Sequence, residues 1–375
     1  MKKLDMVERI KVWQNVYKRI RFFKKMYPLS AVLKDIFLLP LDYFFSSSFI
    51  RRVRNVTIAV THRCNIRCQM CYFHKQLDGT CDLALSSYKR IIDSVKGTRP
   101  CIILTGGEPF LHPDLVNMVR YAKKSGLSTQ IFTNGTLLNP QAADNLTEAG
   151  LDYINFTLLG NEKSHSNLAG SADAYGKFIK NLEYFASHRK ATKVILNFTV
   201  TPQAIRDIGH AAELARRYKL DGLRIQHYNF LLPLEFKTQD IIIKSLFGVD
   251  SNTHEIEQAG EGVLHMAREL IKFKENLSRD MPDIPVQWAP TLTDSEIENW
   301  YSADAFKTQR KCFYPWRGIF IDAAGQIYPC SKIYLGLGSI EKEGVINAWN
   351  SSRMSKVRGH LKKGLFPACA RCCKL

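Results

Sequence analysis

Residues 55–73 read NVTIAVTHRCNIRCQMCYF. The first six, 55–60, form a short β-rich run, and the loop after them carries Cys64, Cys68 and Cys71 within eight residues. A structural zinc site takes four ligands and a disulfide takes two, so three thiols in one loop call for another explanation. Outward from this stretch the chain alternates. β-rich runs at 101–107, 127–135, 151–160, 193–201 and 221–230 are separated by helical stretches at 86–97, 113–126, 139–150, 173–188 and 211–222, several with a capping residue or a glycine stop. Six strands alternating with helices predict a parallel sheet with right-handed crossovers, either open or closed toward a barrel. In both arrangements chemistry gathers at the carboxyl ends of the strands, which is where the three cysteines fall.

The 375 residues are 45% hydrophobic, 23% charged and 11% aromatic, a globular composition with ample core. Ten cysteines in so long a chain do not make a small secreted disulfide scaffold. Eight of them fall in groups: 64–71, then Cys312 and Cys330, then Cys369, Cys372 and Cys373, with only Cys81 and Cys101 outside. Such clustering favours metal thiolates and the reducing cytoplasm. Soft thiolates suit zinc or an iron–sulfur cluster. A zinc site would have to recruit His62 or His74 as its fourth ligand. A four-iron cluster on three thiolates would keep one iron without a protein ligand, a vacancy for a substrate or cosubstrate.

The formal net charge is +18, and residues 1–54 hold 13 Lys and Arg against four acidic residues. Ile10, Trp13, Tyr17, Ile20 and Phe23 recur at three- and four-residue steps among these cations, predicting a basic amphipathic helix. Residues 29–50 are more apolar, but Lys34, Asp35, Pro40 and Asp42 interrupt them, so no membrane-spanning helix is expected. No small-residue cleavage site of a signal peptide follows. The extension can pack on the main domain, adsorb to an anionic membrane face, or act as a nucleic-acid arm, the last being disfavoured.

Four segments together resemble the radical S-adenosylmethionine (SAM) superfamily. CNIRCQMC (64–71) has its C-x3-C-x2-C spacing. LTGGEPFLHPDL (104–115) resembles its Gly-Gly-Glu-Pro segment, FTNGTLL (132–138) its Thr-Asn-Gly turn, and 154–182 the segment that follows. The resemblance spans residues 55–230. Met70 stands where many relatives have an aromatic residue, Leu159 replaces a usual aspartate, and Ser166 stands where an aspartate often follows the histidine. The fold so implied is a partial (β/α)6 TIM-like barrel. The implied cofactors are a [4Fe–4S] cluster on Cys64, Cys68 and Cys71 and SAM chelated at the open iron. Reductive cleavage to a 5′-deoxyadenosyl radical would let the enzyme abstract a hydrogen atom from a substrate C–H bond. The expected cofactor-binding residues are Met70, Gly106, Gly107, Glu108, Pro109, Thr133, Asn134, Thr157 and Gln226. Gly106 and Gly107 would let backbone approach the methionine end, Glu108 would receive the ammonium, and Thr133, Asn134 and Thr157 would bond the ribose or carboxylate. For the threonines, Asn134, Gln226 and His227, a plain turn or strand-end role is equally open. His165, His227 and Glu162 are candidates for a general base by location.

GIFIDAAGQIYPC (318–330) reads as a hairpin around Gly325, with Cys312 before it and Cys369 and Cys372 far beyond it. This layout resembles the twitch form of the SPASM auxiliary-cluster domain and implies a second [4Fe–4S] cluster on Cys312, Cys330, Cys369 and Cys372. Cys373 can substitute for Cys372, and a zinc ribbon is the alternative occupant. The domains expected are a basic helical extension at 1–54, the barrel core at 55–232, a helical substrate-pocket region at 233–305 and the auxiliary domain at 306–375. In the linker, 254–277 has helical periodicity and 282–301 reads as a strand leaving the barrel followed by a helix. An electron donor of the flavodoxin or ferredoxin type is implied. The substrate is a lipid or other membrane-associated molecule on the strength of the basic extension, or a ribosomally made peptide on the strength of the auxiliary domain. The class outside catalysis is a metal-stabilised nucleic-acid- or membrane-binding protein, against which the open three-cysteine loop argues. The protein is expected in the cytoplasm, with peripheral attachment to the inner membrane face as an option.

Overall fold

The computed structural model describes residues 42–44, 50, 52–71, 73, 77, 79–250, 261–264, 266–280 and 284–375. Nearly all of the basic amphipathic stretch lies outside these residues. One ten-stranded sheet organises the rest: β1 (Asn55–Thr61), β2 (Cys101–Gly106), β3 (Ser128–Thr133), β4 (Tyr153–Leu158), β5 (Lys193–Thr199), β6 (Gly222–Gln226), β7 (Val286–Ala289), β8 (Gly318–Ile321), β9 (Gln326–Tyr328) and β10 (Gly338–Ser339). Their order is β10-β9-β8-β1-β2-β3-β4-β5-β6-β7. All pairs from β8 through β1 to β7 are parallel.

Strand alternation sorts side chains between two faces. Val56, Ile58 and Val60 of β1 and Phe156 and Leu158 of β4 are fully buried in the core beneath the helices. Asn55, Thr57, Asn155 and Thr157 point the other way, into the concave face. The helical layer is amphipathic in the expected way: α1 (Leu85–Val95) buries Tyr88, Ile91, Ile92 and Val95, and α2 (Leu115–Lys124) buries Leu115, Met118, Val119 and Ala122. Asn139 caps α3 (Pro140–Glu148) and Asn161 caps α4 (Glu162–Ala169), each side chain accepting a bond from a first-turn N–H. Beyond them come α5 (Ala174–His188) and α6 (Ile208–Arg217).

The predicted six strands are β1–β6, but the parallel array is longer than six. Residues 286–289 do not leave the barrel. They pair with β6 as β7, since Trp288 and Val286 add to the apolar layer that β6 already serves. The expected hairpin is present as β8–β9, with Gly325 at φ +77 in its turn, and β8 also pairs with β1. Helix α7 (Pro233–Phe247) was not legible, because its apolar residues do not hold to one stripe: Leu234 and Ile241 are exposed while Glu235 and Gln239 are buried. It is followed by α8 (Met266–Asp280), α9 (Asp294–Trp300), α10 (Gly344–Trp349) and α11 (Ser352–Lys363). The carboxyl-terminal segment packs near the start of the array: Lys374 lies over the Tyr314 ring at 3.6 Å, and Tyr314 bonds Thr57 of β1 at 3.2 Å. The parallel array forms a partial barrel.

Candidate active site

The three-cysteine loop leaves β1 at Thr61 and is held at its base by Asp82. Asp82 accepts from the Thr61 hydroxyl at 2.6 Å and from Arg63 Nε at 3.0 Å, while Arg63 also donates to the Leu111 carbonyl at 2.6 Å. Partial burial opposes ionisation of Asp82, yet the bonds from Thr61 and Arg63 prevail and keep its carboxyl below the usual range. Further along, Asn65 donates to Thr136 at 2.8 Å and accepts from Asn134 at 3.0 Å. The N–H groups of Arg67 and Gln69 donate to the carbonyls of Ala169 and Leu168 at the end of α4. The loop thus rests on β2, the β3 turn and α4.

Gly106 and Gly107 are needed by this loop. The Gly107 N–H donates to the Thr61 carbonyl and the Glu108 N–H to that of Arg63. A Cβ on Gly106, at φ +136, would meet the Thr61 oxygen at 2.4 Å. Glu108 is fully buried. It accepts from Thr133 Oγ1 at 2.8 Å, Asn134 N at 2.8 Å and Phe110 N at 3.1 Å, which locks the end of β2 to the turn after β3. Burial raises its pKa to about 7 against the opposing pull of those three donors. Pro109 is buried and opens the short turn Pro109–Leu111 that Glu108 caps. Met70 is half-buried against the main core. Thr157 and Gln226 are half-buried on the concave sides of β4 and β6.

Cys64, Cys68 and Cys71 are free thiols and half-buried. Burial first, then the neighbouring Cys71 and Cys64, pushes the Cys68 thiol up to about 12. All three thiols lie on the one loop that follows β1. Among the described residues no three His, Cys, Asp or Glu side chains are drawn close enough to hold a single ion. The donor set, three soft thiols on one loop, fits an iron–sulfur cluster with an open iron, and His74, one of the two histidines considered as a fourth zinc ligand, lies outside the described residues.

In the carboxyl-terminal region, Cys312, Cys330, Cys369 and Cys372 are buried and free. Cys369 is raised by burial and then by the charges of Cys312 and Cys330, so these three stand together, and the Lys332 N–H points at Cys330 Sγ at 3.4 Å. Cys372 is in hydrogen-bond contact with Cys373. Four thiols, with a fifth adjoining, again fit a cluster.

Other candidates lie elsewhere. His165 packs against Tyr175 and Phe178 in the helical layer, its Nδ1 accepting from Leu159 N, and burial lowers its pKa to about 4. His227 falls on the outward parity of β6, among Trp288, Trp300 and Tyr301, and is fully buried. Glu162 is exposed at the start of α4. His165 and His227 are thus buried in the helical and aromatic layers, and Glu162 is exposed. Residues that the sequence did not single out include Asp82, Asn65 and Thr136, whose bonds span 19 to 71 positions, and the buried pair Glu235–Arg371. A surface recess of about 320 Å³ bounded by Thr147, Gly150, Asp152 and Thr192 lies at the opposite, amino edge of the sheet, away from the thiols.

This geometry defines an iron–sulfur enzyme built on a parallel barrel. Residues 58–215 match the radical SAM superfamily and residues 312–373 match the iron-sulfur cluster-binding SPASM domain, so the chain belongs to the radical SAM superfamily and carries a SPASM domain. Its cofactors are accordingly a [4Fe–4S] cluster, SAM and auxiliary iron–sulfur. Fe-coproporphyrin III synthase of Methanosarcina barkeri is 31% identical over 170 residues, 45% of this chain and 42% of that protein, so the match spans less than half the length of this relative. The AdoMet-dependent heme synthase of the same organism is 25% identical over 80% of this chain and 83% of its own length. Among solved structures, Streptococcus suis SuiB bound to precursor peptide SuiA is 15% identical with a TM-score of 0.59, covering 81% of this chain and 66% of that one, a likeness of fold. Among the described residues no helix is long and apolar enough to cross a membrane.

Proposed function

We propose that this enzyme abstracts a hydrogen atom from a polar substrate of the peptide class, held in the concave face between two sets of thiols. The observation that carries this reading is the chemistry of that face. Thr157, Asn197, Arg224 and Gln287 stand side by side across β4 to β7, a lining suited to polar groups rather than to an acyl chain. The fold shared with SuiB, whose structure holds a precursor peptide, supports the same substrate class. A lipid substrate draws its support from the basic amino-terminal stretch alone.

In this proposal Cys64, Cys68 and Cys71 hold the [4Fe–4S] cluster, and Cys312, Cys330, Cys369 and Cys372 hold the auxiliary one. When bound, the first cluster and SAM supply an electron and a sulfonium whose cleavage yields methionine and a 5′-deoxyadenosyl radical. The protein's part is placement. Asp82, Thr61 and Arg63 anchor the loop, Glu108 and Asn134 brace it, and Thr157 and Gln226 offer hydrogen bonds to the cofactor from the strand ends. The electron comes from a flavodoxin- or ferredoxin-like donor.

The test is iron, sulfide and zinc content after anaerobic reconstitution, with 5′-deoxyadenosine measured alongside, for the wild type and a Cys64/Cys68/Cys71→Ala variant. About eight irons, falling to about four in the variant with loss of deoxyadenosine, is the expected result. Four irons with one zinc would remove the auxiliary cluster from the proposal. Deoxyadenosine formation indifferent to the three cysteines would overturn the assignment of the radical site.

A further inference from the structure

Arg224 is the middle residue of β6, between Leu223 and Ile225, which are fully buried in the core beneath the helices. Strand alternation turns Arg224 to the concave side. There it stands in register with Asn197 of β5 on one side and Gln287 of β7 on the other, with Thr157 of β4 next beyond Asn197. Neighbouring strands are ~4.8 Å apart, so this row presents a guanidinium flanked by two amides across ~10 Å.

Two atoms of the row are unsatisfied. Arg224 Nε is buried with no hydrogen-bond partner. Asn197 is 9% exposed, and its Oδ1 also lacks a partner. A donor such as Arg224 Nε, held out of water and left unbonded, costs free energy that a ligand bearing an acceptor can return. A planar guanidinium fork matches a carboxylate, two parallel N–H···O bonds at once. The amides of Asn197 and Gln287 can each turn their NH2 toward the same oxygens.

We propose that Arg224, Asn197 and Gln287 form a carboxylate clamp for the substrate. The clamp rests on the reading of the concave face as the substrate chamber, and it narrows the substrate to one carrying a carboxylate near the reacting carbon. The methionyl carboxylate of SAM is the other source of this chemistry. Position along the strand favours the substrate: Arg224 is two residues before Gln226, the end of β6 assigned to the cofactor, and so lies deeper in the barrel than the radical-site loop, which touches β2, the β3 turn and α4.

The test uses reconstituted, SAM-bound protein and glutarate as probe, with glutaramide as the uncharged control, by isothermal titration. Glutarate is expected to bind the wild type and glutaramide not. Arg224→Gln should weaken glutarate at least tenfold, roughly the worth of a charged hydrogen bond, while iron content and SAM affinity stay within twofold. Asn197→Asp, which supplies Arg224 with an internal carboxylate, should abolish glutarate binding in a protein that retains its iron. Glutarate binding absent from the wild type, or indifferent to both variants, overturns the clamp. Loss of SAM affinity in Arg224→Gln assigns the site to SAM and overturns it for the substrate, and loss of auxiliary iron overturns it in favour of a role beside the thiols. Wild-type protein that takes up no iron or SAM would be a failure of the radical SAM reading, visible before any glutarate is added.

Discussion

A methyl group on Gly107 would stand 2.0 Å from the carbonyl oxygen of Arg63 and 3.1 Å from the Cβ of Cys64. The first neighbour is backbone at the base of the cysteine loop, hydrogen-bonded on to Glu108 N, so it cannot yield without moving the thiols. Gly107→Ala is therefore expected to lose about four irons, those of the radical site, while the auxiliary iron remains. Gly176, in α5 with nothing within 4 Å of a built Cβ, is the control: Gly176→Ala should keep all its iron and gain ~0.5–1 kcal/mol in stability from helix propensity. Iron analysis and denaturant unfolding read both. Full iron in Gly107→Ala would mean that the loop seats itself without this contact.

Between elements, the decisive joint is Arg371, in the C-x2-C segment that carries Cys369 and Cys372. Its side chain is fully buried, with φ +53, a left-handed conformation that costs a non-glycine residue ~1–2 kcal/mol. The conformation is held by bonds from the guanidinium to both oxygens of Glu235 at 2.8 and 2.7 Å and to the Trp300 carbonyl at 2.7 Å, and by stacking on Phe230 at 4.3 Å. Helix α7 and the loop after α9 are thereby clamped to the auxiliary cysteines. Removing one partner of a buried pair strands the other charge, so Glu235→Gln should cost ~3–5 kcal/mol of unfolding free energy. A Glu235→Leu/Arg371→Met double variant should recover part of that loss. Chemical denaturation of the three proteins checks this; a single-variant loss below ~1 kcal/mol would show that the pair is effectively solvated.

At the scale of the whole molecule, acid stability reports on the helical layer. His165 has its pKa lowered from 6.5 to about 4 by burial, so the folded protein keeps it neutral where the unfolded chain protonates it. The unfolded state then binds the extra proton, and stability falls as pH drops through 6.5, levelling off near 4. The slope approaches ~1.4 kcal/mol per pH unit for one such histidine. His165→Phe, which keeps a ring against Tyr175 and Phe178, should lose less stability than the wild type between pH 6.5 and 4.5. Unfolding free energies measured at several pH values decide it, and equal slopes in the two proteins would show that His165 titrates freely.

The sequence by itself determined the barrel's first six strands, the three-cysteine loop after β1 and the hairpin before Cys330, because each is written in local periodicity or short spacing. Hydrophobic alternation, capping residues and turn glycines act over a few positions, and a reader of the chain can see them. Only the tertiary structure decided what those pieces meet. It paired residues 286–289 with β6 and β8 with β1, turned His227 into the aromatic layer and Arg224 into the concave face, and brought Asp82, Asn134 and Thr136 to the cysteine loop. Glu235 looked like an ordinary helix residue until Arg371, 136 positions later, arrived beside it. The physical reason is the same in each case: strand parity and long-range pairing choose which side chains share a space, and that choice rests on contacts between residues far apart in the chain.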